Sequence, residues 1–453
     1  VSRAKSIDRS RLPPGPRAAA LQSLLYMRDP YGYYARMQAR YGDLFTMPTM
    51  NGLLVIAHSP EGAREILAGG EKDFGEGFGA ETLAPLIGRR SLLLLSGDDH
   101  RRERKMLSPV FHGGRMRAYG PAMRRAALDR SERWLPGDRI VMQDEMQAVS
   151  LDVIIRAVLG VEAPDRVAPF RTAIRDAVAE VSPLPLFFRP LQRRFFGLGP
   201  WARFLRSKRR FDRMLDTEIH AARRLGAPRE DVLSRLVHSF DEDGRPLTDA
   251  AIRDHLVTLL IAGHETTSTA LAWAFYELAR HPDWRRALLD EVAALGSDPD
   301  PGALATLPGL EAVARETLRL HPIVPEFFRT VRHGYRVRGF DIPPGVVLAG
   351  SILSLHRDPT LYPEPEAFRP ERFLERSRPP FEFAAFGGGH RYCLGAAFAL
   401  TEMAIVIGTL LPRHELELES RRPLRTVRRH VTLGPEGGVA MRVVGERYGP
   451  RRA

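Results

Sequence analysis

Cysteine is nearly absent: Cys393 is the single one in 453 residues. That excludes an intrachain disulfide framework and leaves no mark of an oxidising compartment, so a cytoplasmic protein is expected. Long apolar runs are missing too. The first thirty residues are interrupted by Arg, Asp and Pro, so neither a signal core nor a transmembrane anchor is expected there. Zinc-finger spacing and RNA-recognition signatures are absent, as is any basic stripe interleaved with aromatics. Nucleic acid is therefore not the expected partner, despite a net charge of +12. That charge is carried almost entirely by Arg and suits an acidic protein partner or an anionic cofactor. Repeats, low-complexity tracts and biased linkers are also lacking. With 44% hydrophobic and 27% charged residues the composition is that of a folded chain with a sizeable core, either one large compact fold or two intimately packed lobes.

What is present is mostly helical pattern. Residues 44–47 and 53–57 are apolar runs flanking Met50-Asn51-Gly52, and Asn-Gly supplies the positive φ of a tight hairpin. Ser59-Pro60-Glu61 reads as an N-cap, a first-turn proline and an acid at the positive helix end, predicting a helix to about residue 68. The longest helix starts at Thr248-Asp249 and stops at His281-Pro282. Its residues 256–262 are apolar on every side, as in a helix threaded through the middle of a protein. A second helix over 309–321 carries Glu311/Arg315 and Glu316/Arg319 on shared faces and ends at Pro322. Strands are predicted at 328–331, 335–337 and 346–351, followed by a Pro-braced irregular stretch over 358–380. A buried helix follows over 395–411, and 431–444 reads as a hairpin around residues 434–438.

The chemistry concentrates in Phe386-Gly387-Gly388-Gly389-His390-Arg391-Tyr392-Cys393-Leu394-Gly395. This turn delivers the Cys to a helix N-terminus, where backbone N–H groups lower a thiol pKa. A thiolate held there can ligate iron, attack an electrophile or do nothing, and an inert buried thiol is the ordinary alternative. Three glycines let the loop pass close under something flat, Phe386 can pack beside the sulfur, and Arg391 offers a cation for a carboxylate. His390 and Cys393 are spaced like half a zinc site, and His264 sits in the long helix. Zinc needs more ligands than this, so both His are read as non-ligands.

At these intervals the Phe, Gly, Arg, Cys and further Gly resemble the Cys loop of the cytochrome P450 family. Two more motifs stand in matching order. Glu316-Thr317-Leu318-Arg319 is similar to the family's Glu-x-x-Arg, and Phe368-Arg369-Pro370-Glu371-Arg372-Phe373 is similar to its meander. Together they imply a structural lock of Glu316, Arg319 and Arg372 behind the Cys loop. Ala262-Gly263-His264-Glu265-Thr266-Thr267 resembles the oxygen-activation motif: a small step lets the helix approach a porphyrin, and Glu265 and Thr266 are the implied catalytic proton relay. A lone helical Thr otherwise commonly bonds back to a carbonyl.

The resemblance covers nearly the whole chain. It implies a mainly α fold with a small β region, a P450-like helical prism around a buried haem b. Cys393 would be the iron ligand; Ala262, Phe386 and Gly395 would contact the cofactor; His100, Arg104, Arg329 and Arg391 would meet its propionates. The implied reaction inserts one oxygen atom from dioxygen into an apolar small molecule. Its electrons would come from NAD(P)H through a separate acidic ferredoxin or flavodoxin, steered by Arg101, Arg102, Arg104, Lys105, Arg115 and Arg117. The expected pocket wall includes the loop over 74–95 and Ile261, Val324, Glu326, Phe327 and Leu433, with Glu326 either holding a polar substrate group or, more simply, facing solvent. Residues 184–201 mix Phe and Arg where the family keeps its access lid, and either touch a membrane surface or form lid core. Two rivals remain: a haem-thiolate peroxygenase or isomerase, and a non-enzymatic haem-thiolate sensor.

Overall fold

The computed structural model describes residues 8–49, 52–75, 80–111, 114–180, 199–227, 229–429 and 431–446. The long helix Asp249–Arg280 is its axis. Thr248 caps it, its hydroxyl accepting from the Ala251 N–H at 3.2 Å, and Pro282 prevents its continuation. Leu256, Leu260, Leu271 and Trp273 are buried along it, so it runs through the core. Helix Met142–Leu159 lies along it and closes on Gly160 in the left-handed region (φ 64°). Helix Arg115–Ser131 fills the space between Met142–Leu159 and the helix that follows the Cys, Ala396–Leu410.

The β region sits beside this helical core. A four-stranded sheet has the order Leu44–Thr49, Gly52–Ala57, Val347–Ser351, Glu326–Thr330; only the middle pair is parallel, with Leu54 opposite Val347. A smaller core packs on one face of this sheet around Ile66, Phe74, Phe327 and Leu348, and another on its other face around Tyr33, Phe45, Ile56 and Leu433. Three smaller sheets pair Tyr335–Val337 with Phe340–Ile342, Thr426–Arg429 with Thr432–Pro435, and Ala440–Glu446 with both Arg139–Val141 and His414–Leu418.

Several expectations are met where capping chemistry is strong. The helix after Ser59 is Pro60–Ala68, with the Ser59 hydroxyl accepting from the Gly62 N–H at 3.1 Å. The Glu-x-x-Arg helix is Pro308–Leu320, and Arg315 reaches Glu311 at 2.7 Å. The first hairpin pairs Thr49 with Gly52, while its turn residues 50 and 51 lie outside the described residues.

Two expectations need correction. Residues 434–438 are not a hairpin turn: Thr432–Pro435 pairs backwards with Thr426–Arg429, a short 3-10 turn follows at Glu436–Gly438, and Ala440–Glu446 joins a different sheet. Glycine density marked the bend, but not which strand each arm pairs with. The apolar stretch 256–262 is not buried on every side either: Leu259 and Ile261 are half-buried and Ala262 is exposed.

Candidate active site

The Cys loop is shaped by backbone that only glycine tolerates. Gly387 and Gly389 have φ of 66° and 60°. A Cβ on Gly389 would stand 2.6 Å from the Leu67 carbonyl oxygen. The loop closes on itself: Cys393 N–H donates to the Phe386 carbonyl at 2.9 Å, Tyr392 N–H to Gly389 at 3.0 Å, and Gly387 N–H to Ala384 at 2.8 Å. The helix Ala396–Leu410 starts directly beyond it.

Cys393 is exposed, yet its sulfur lies deep within the protein mass, so it faces an interior space rather than the outer surface. That depth pushes its thiol pKa up; the Gly395 N–H and the Arg104 guanidinium oppose the rise. Across the structure, Ala262 and half-buried Thr266 are also open, in the middle of an otherwise buried helix.

Cations gather at the edge of the Cys loop. Arg329 is buried; it donates to the Gly388 carbonyl at 2.7 Å and to the Phe328 carbonyl at 2.8 Å, and its Nε has no partner. Arg391 donates to the carbonyls of Leu92 and Leu95, at 3.2 and 2.5 Å. Arg104 donates to the Tyr392 carbonyl at 2.6 Å. Among the described residues no carboxylate stands within ion-pair distance of these three. Burial first, then its neighbour Arg391, pulls the Arg329 pKa down to about 10, and burial lowers Arg391 to about 10 as well. His100 is buried and bonded to Glu71 at 2.6 Å. His390 has a buried Nδ1 without a partner, and burial and the adjoining Arg side chains hold its pKa near 4. One buried and two half-buried cations with no carboxylate at ion-pair distance call for an anionic group, and a haem with two propionates fits that requirement, as the accessible Cys393 sulfur fits its iron.

The cytochrome P450 family model matches residues 12–440. This chain belongs to the cytochrome P450 family. Among its relatives is the Mycobacterium tuberculosis protein carrying the provisional name cytochrome P450 135A1, 35% identical over 446 residues, covering 96% of each chain. Another is the Mycobacterium bovis protein provisionally named cytochrome P450 135B1, 36% identical, covering 95% of this chain and 91% of its own. A solved cyanobacterial CYP120A1 with retinoic acid bound superposes with a TM-score of 0.82 at 26% identity, covering 95% of this chain and 99% of its own. The chain is thus a P450 monooxygenase, with haem as its family's cofactor.

Behind the Cys loop of this P450, the three lock residues come together. Arg319 Nε and Nη2 reach the two Glu316 oxygens at 2.7 and 2.8 Å. Its remaining N–H groups end on the carbonyls of His356, Pro365 and Ala367, at 2.8, 2.7 and 3.0 Å. Arg372 Nε stands 3.6 Å from Glu316, which also accepts the Arg369 N–H at 2.8 Å. A single buried carboxylate thereby ties the Glu-x-x-Arg helix to the meander.

On the opposite side, Gly263 packs against the Met142–Leu159 helix; a Cβ there would be 3.0 Å from Ile154 Cδ1. Thr266 Oγ1 donates back to the Ala262 carbonyl at 2.8 Å, and Glu265 accepts from the Thr432 hydroxyl at 3.4 Å. His264 is buried, its Nδ1 3.1 Å from the Leu260 carbonyl, and burial lowers its pKa.

The expected pocket residues divide. Ile261 is half-buried and Val324 exposed, whereas Phe327 and Leu433 are buried in the two cores flanking the four-stranded sheet. Glu326 corrects the solvent-facing expectation. It is buried, and its Oε1 accepts hydrogen bonds from the phenols of Tyr26 and Tyr34, the latter at 2.6 Å, so it faces those rings rather than solvent. A strand residue beside Pro325 gave no sign of which face it would take. Within the 74–95 loop Phe74 is core, residues 76–79 lie outside the described residues, and so do 184–198 of the lid segment. Sequence reasoning also passed over a fully buried pair: His255 Nε2 on the long helix meets Glu103 Oε2 at 2.7 Å, beside Arg104. Their separation in sequence left no pattern to find.

Proposed function

We propose that this P450 inserts one atom of dioxygen into a lipophilic small molecule, by hydroxylation or epoxidation, acting as a single domain and a monomer in the cytoplasm. The carrying observation is buried Arg329 with half-buried Arg104 and Arg391, none within ion-pair distance of a carboxylate among the described residues, gathered beside an accessible but deeply set Cys393. When bound, haem b supplies dioxygen activation and oxygen transfer. The parts given to this chain are narrower. Cys393 acts as thiolate, favoured by the Gly395 N–H and Arg104 against the cost of burial. Phe386, whose carbonyl holds the Cys393 N–H, and Gly395 shape the sulfur's surroundings. Arg104, Arg329, Arg391 and His100 hold the propionates, and Ala262 keeps the opposite face open.

Thr266 and Glu265 are assigned the proton path. Thr266 Oγ1 donates back to Ala262 and still has lone pairs for a proton relay, while Glu265 stands one residue away as the acid. An acid and an alcohol together favour the dioxygen route over peroxide use or isomerisation, and a sensor needs neither. Apolar Ile261 and the exposed Val324 support a fatty acid, terpenoid, steroid or polyketide-like substrate. The likeness to a structure holding retinoic acid, a lipophilic acid, points the same way. Electrons are assigned to NAD(P)H through a separate acidic ferredoxin or flavodoxin.

The test is spectroscopic first. Reduced protein under carbon monoxide is expected to show the strongly red-shifted band of a thiolate-bound ferrous haem, and Cys393→Ser to abolish it. An unchanged spectrum in that variant overturns the reading. Product formed with a reductase system but not with peroxide alone separates the monooxygenase from its rivals.

A further inference from the structure

The short helix Ala19–Arg28 is built inside out. Its inward side is polar: buried Gln22 accepts from the Tyr33 hydroxyl at 3.1 Å, and Tyr26 donates to Glu326. Its outward side carries Leu21, Leu24, Leu25 and Met27, exposed by 51, 59, 37 and 52%. Leu21, Leu24 and Leu25 share one face by helical spacing, with Arg28 next on that stripe. No other stretch of ten described residues exposes four large apolar side chains. Ordinary folding does the reverse, so an apolar surface of this kind marks a contact with something else.

The rim identifies the partner. Between residues 8 and 41 the chain carries Arg9, Arg11, Arg17, Arg28, Arg36 and Arg40 against only Asp8 and Asp29. The two acids stand near Arg11 and Arg36, at 3.9 and 3.6 Å, while Arg17 and Arg28, at either end of the apolar stripe, have no ion-pair partner among the described residues. A second copy meeting this face across a two-fold axis would bring the same Arg rim against itself. A surface that is apolar beneath and anionic above matches both features. We propose that the helix Ala19–Arg28 docks this P450 peripherally on an anionic phospholipid bilayer, its Leu side chains entering the acyl boundary and Arg17 and Arg28 meeting phosphates.

Four apolar side chains and a basic rim give reversible binding. Flotation of the full-length holoprotein with vesicles of phosphatidylcholine mixed with phosphatidylglycerol is expected to carry it upward, and vesicles of phosphatidylcholine alone to leave most of it behind. The bound fraction should fall at high salt. It should drop by about tenfold in Arg17→Glu/Arg28→Glu, and as clearly in Leu24→Ser/Leu25→Ser. All four side chains are exposed, so both variants should keep the carbon monoxide band of the parent and report binding rather than folding. Capture of either variant as well as the parent overturns the proposal. So does absence of parent binding to the mixed vesicles, or a dimer in solution that Leu24→Ser/Leu25→Ser converts to monomer.

Discussion

The two sides of the cofactor space are held to different degrees. On the Cys side the backbone folds back on itself through three hydrogen bonds, and Arg319 places its guanidinium on both Glu316 oxygens and three carbonyls. On the long-helix side, Thr266 is tied to its own helix and Ala262 is open. The side proposed to hold a ligand still is over-determined. The side proposed to admit and release small molecules holds its Thr266 hydroxyl by a bond within one helix, which costs little to rearrange.

The sharpest way to break that contrast is Arg319→Ala. It strands Glu316 in the core with three carbonyls unsatisfied, and removal of one partner from such a buried pair costs about 3–5 kcal/mol. Denaturant titration should show that loss, and haem absorbance per protein should fall with it. Arg319→Lys should rescue little, because an ammonium cannot reproduce the planar fork. A variant that keeps its haem and its stability would mean that the lock is redundant.

Glu402 tests the same side from the opposite direction. It is buried on the helix following the Cys, with an oxygen that has no partner, and burial pushes its pKa from 4.5 up to about 8, partly offset by the Ser150 hydroxyl. From about pH 4.5 to about 8 the unfolded chain releases this proton while the folded chain retains it, so stability falls through that window and levels off above it. Glu402→Gln removes the slope. Relative to the parent, the variant should gain a few kcal/mol between acid and mildly alkaline pH, read from urea midpoints across pH. A constant difference would show that the burial of Glu402 is compensated by its surroundings.

On the long-helix side the expected split is between chemistry and stability. Thr266→Ala deletes one hydrogen bond within its own helix, worth about 1 kcal/mol. Product formed per dioxygen consumed should fall about tenfold or more, as for loss of a positioned proton donor. Equal losses in stability and product yield would place Thr266 in the scaffold instead.

This division also explains what could be read from the sequence. Thr248, Ser59, Pro282 and Pro322 fix helix ends by local chemistry, and the structure follows them closely. Cys393, Glu316, Arg319 and Arg372 belong to motifs with fixed spacing, because a lock of this kind tolerates few alternatives. Pocket walls carry no such constraint. Phe327 and Leu433 are apolar and near the right elements, but strand register turns both into core, and Glu326 is claimed by tyrosines almost three hundred residues away in sequence. The hairpin misread at 434–438 has the same cause: turn residues announce a bend, while the partner strand is set by distant burial.

The smallest effect belongs to the outer face of the Cys side, where the proposed docking cations are mostly answered within the chain. Arg101 meets Asp98 at 2.7 Å, Arg102 stands 3.7 Å from Asp99, Lys105 pairs with Glu242, and Arg115 reaches Glu230 at 2.6 Å. Exposed Arg117 has no carboxylate within ion-pair distance among the described residues. If an acidic ferredoxin pairs directly with surface cations, those already paired within the chain contribute least. Arg117→Glu should then slow reduction by about two- to threefold at low salt and not at high salt. Arg101→Glu should do less, because in the parent Asp98 competes with the ferredoxin for that guanidinium. Stopped-flow reduction across salt concentrations separates them: equal slowing would mean that the partner breaks the Arg101–Asp98 pair on docking, as the low worth of exposed ion pairs permits, and that the surface presents more charge than its resting contacts suggest.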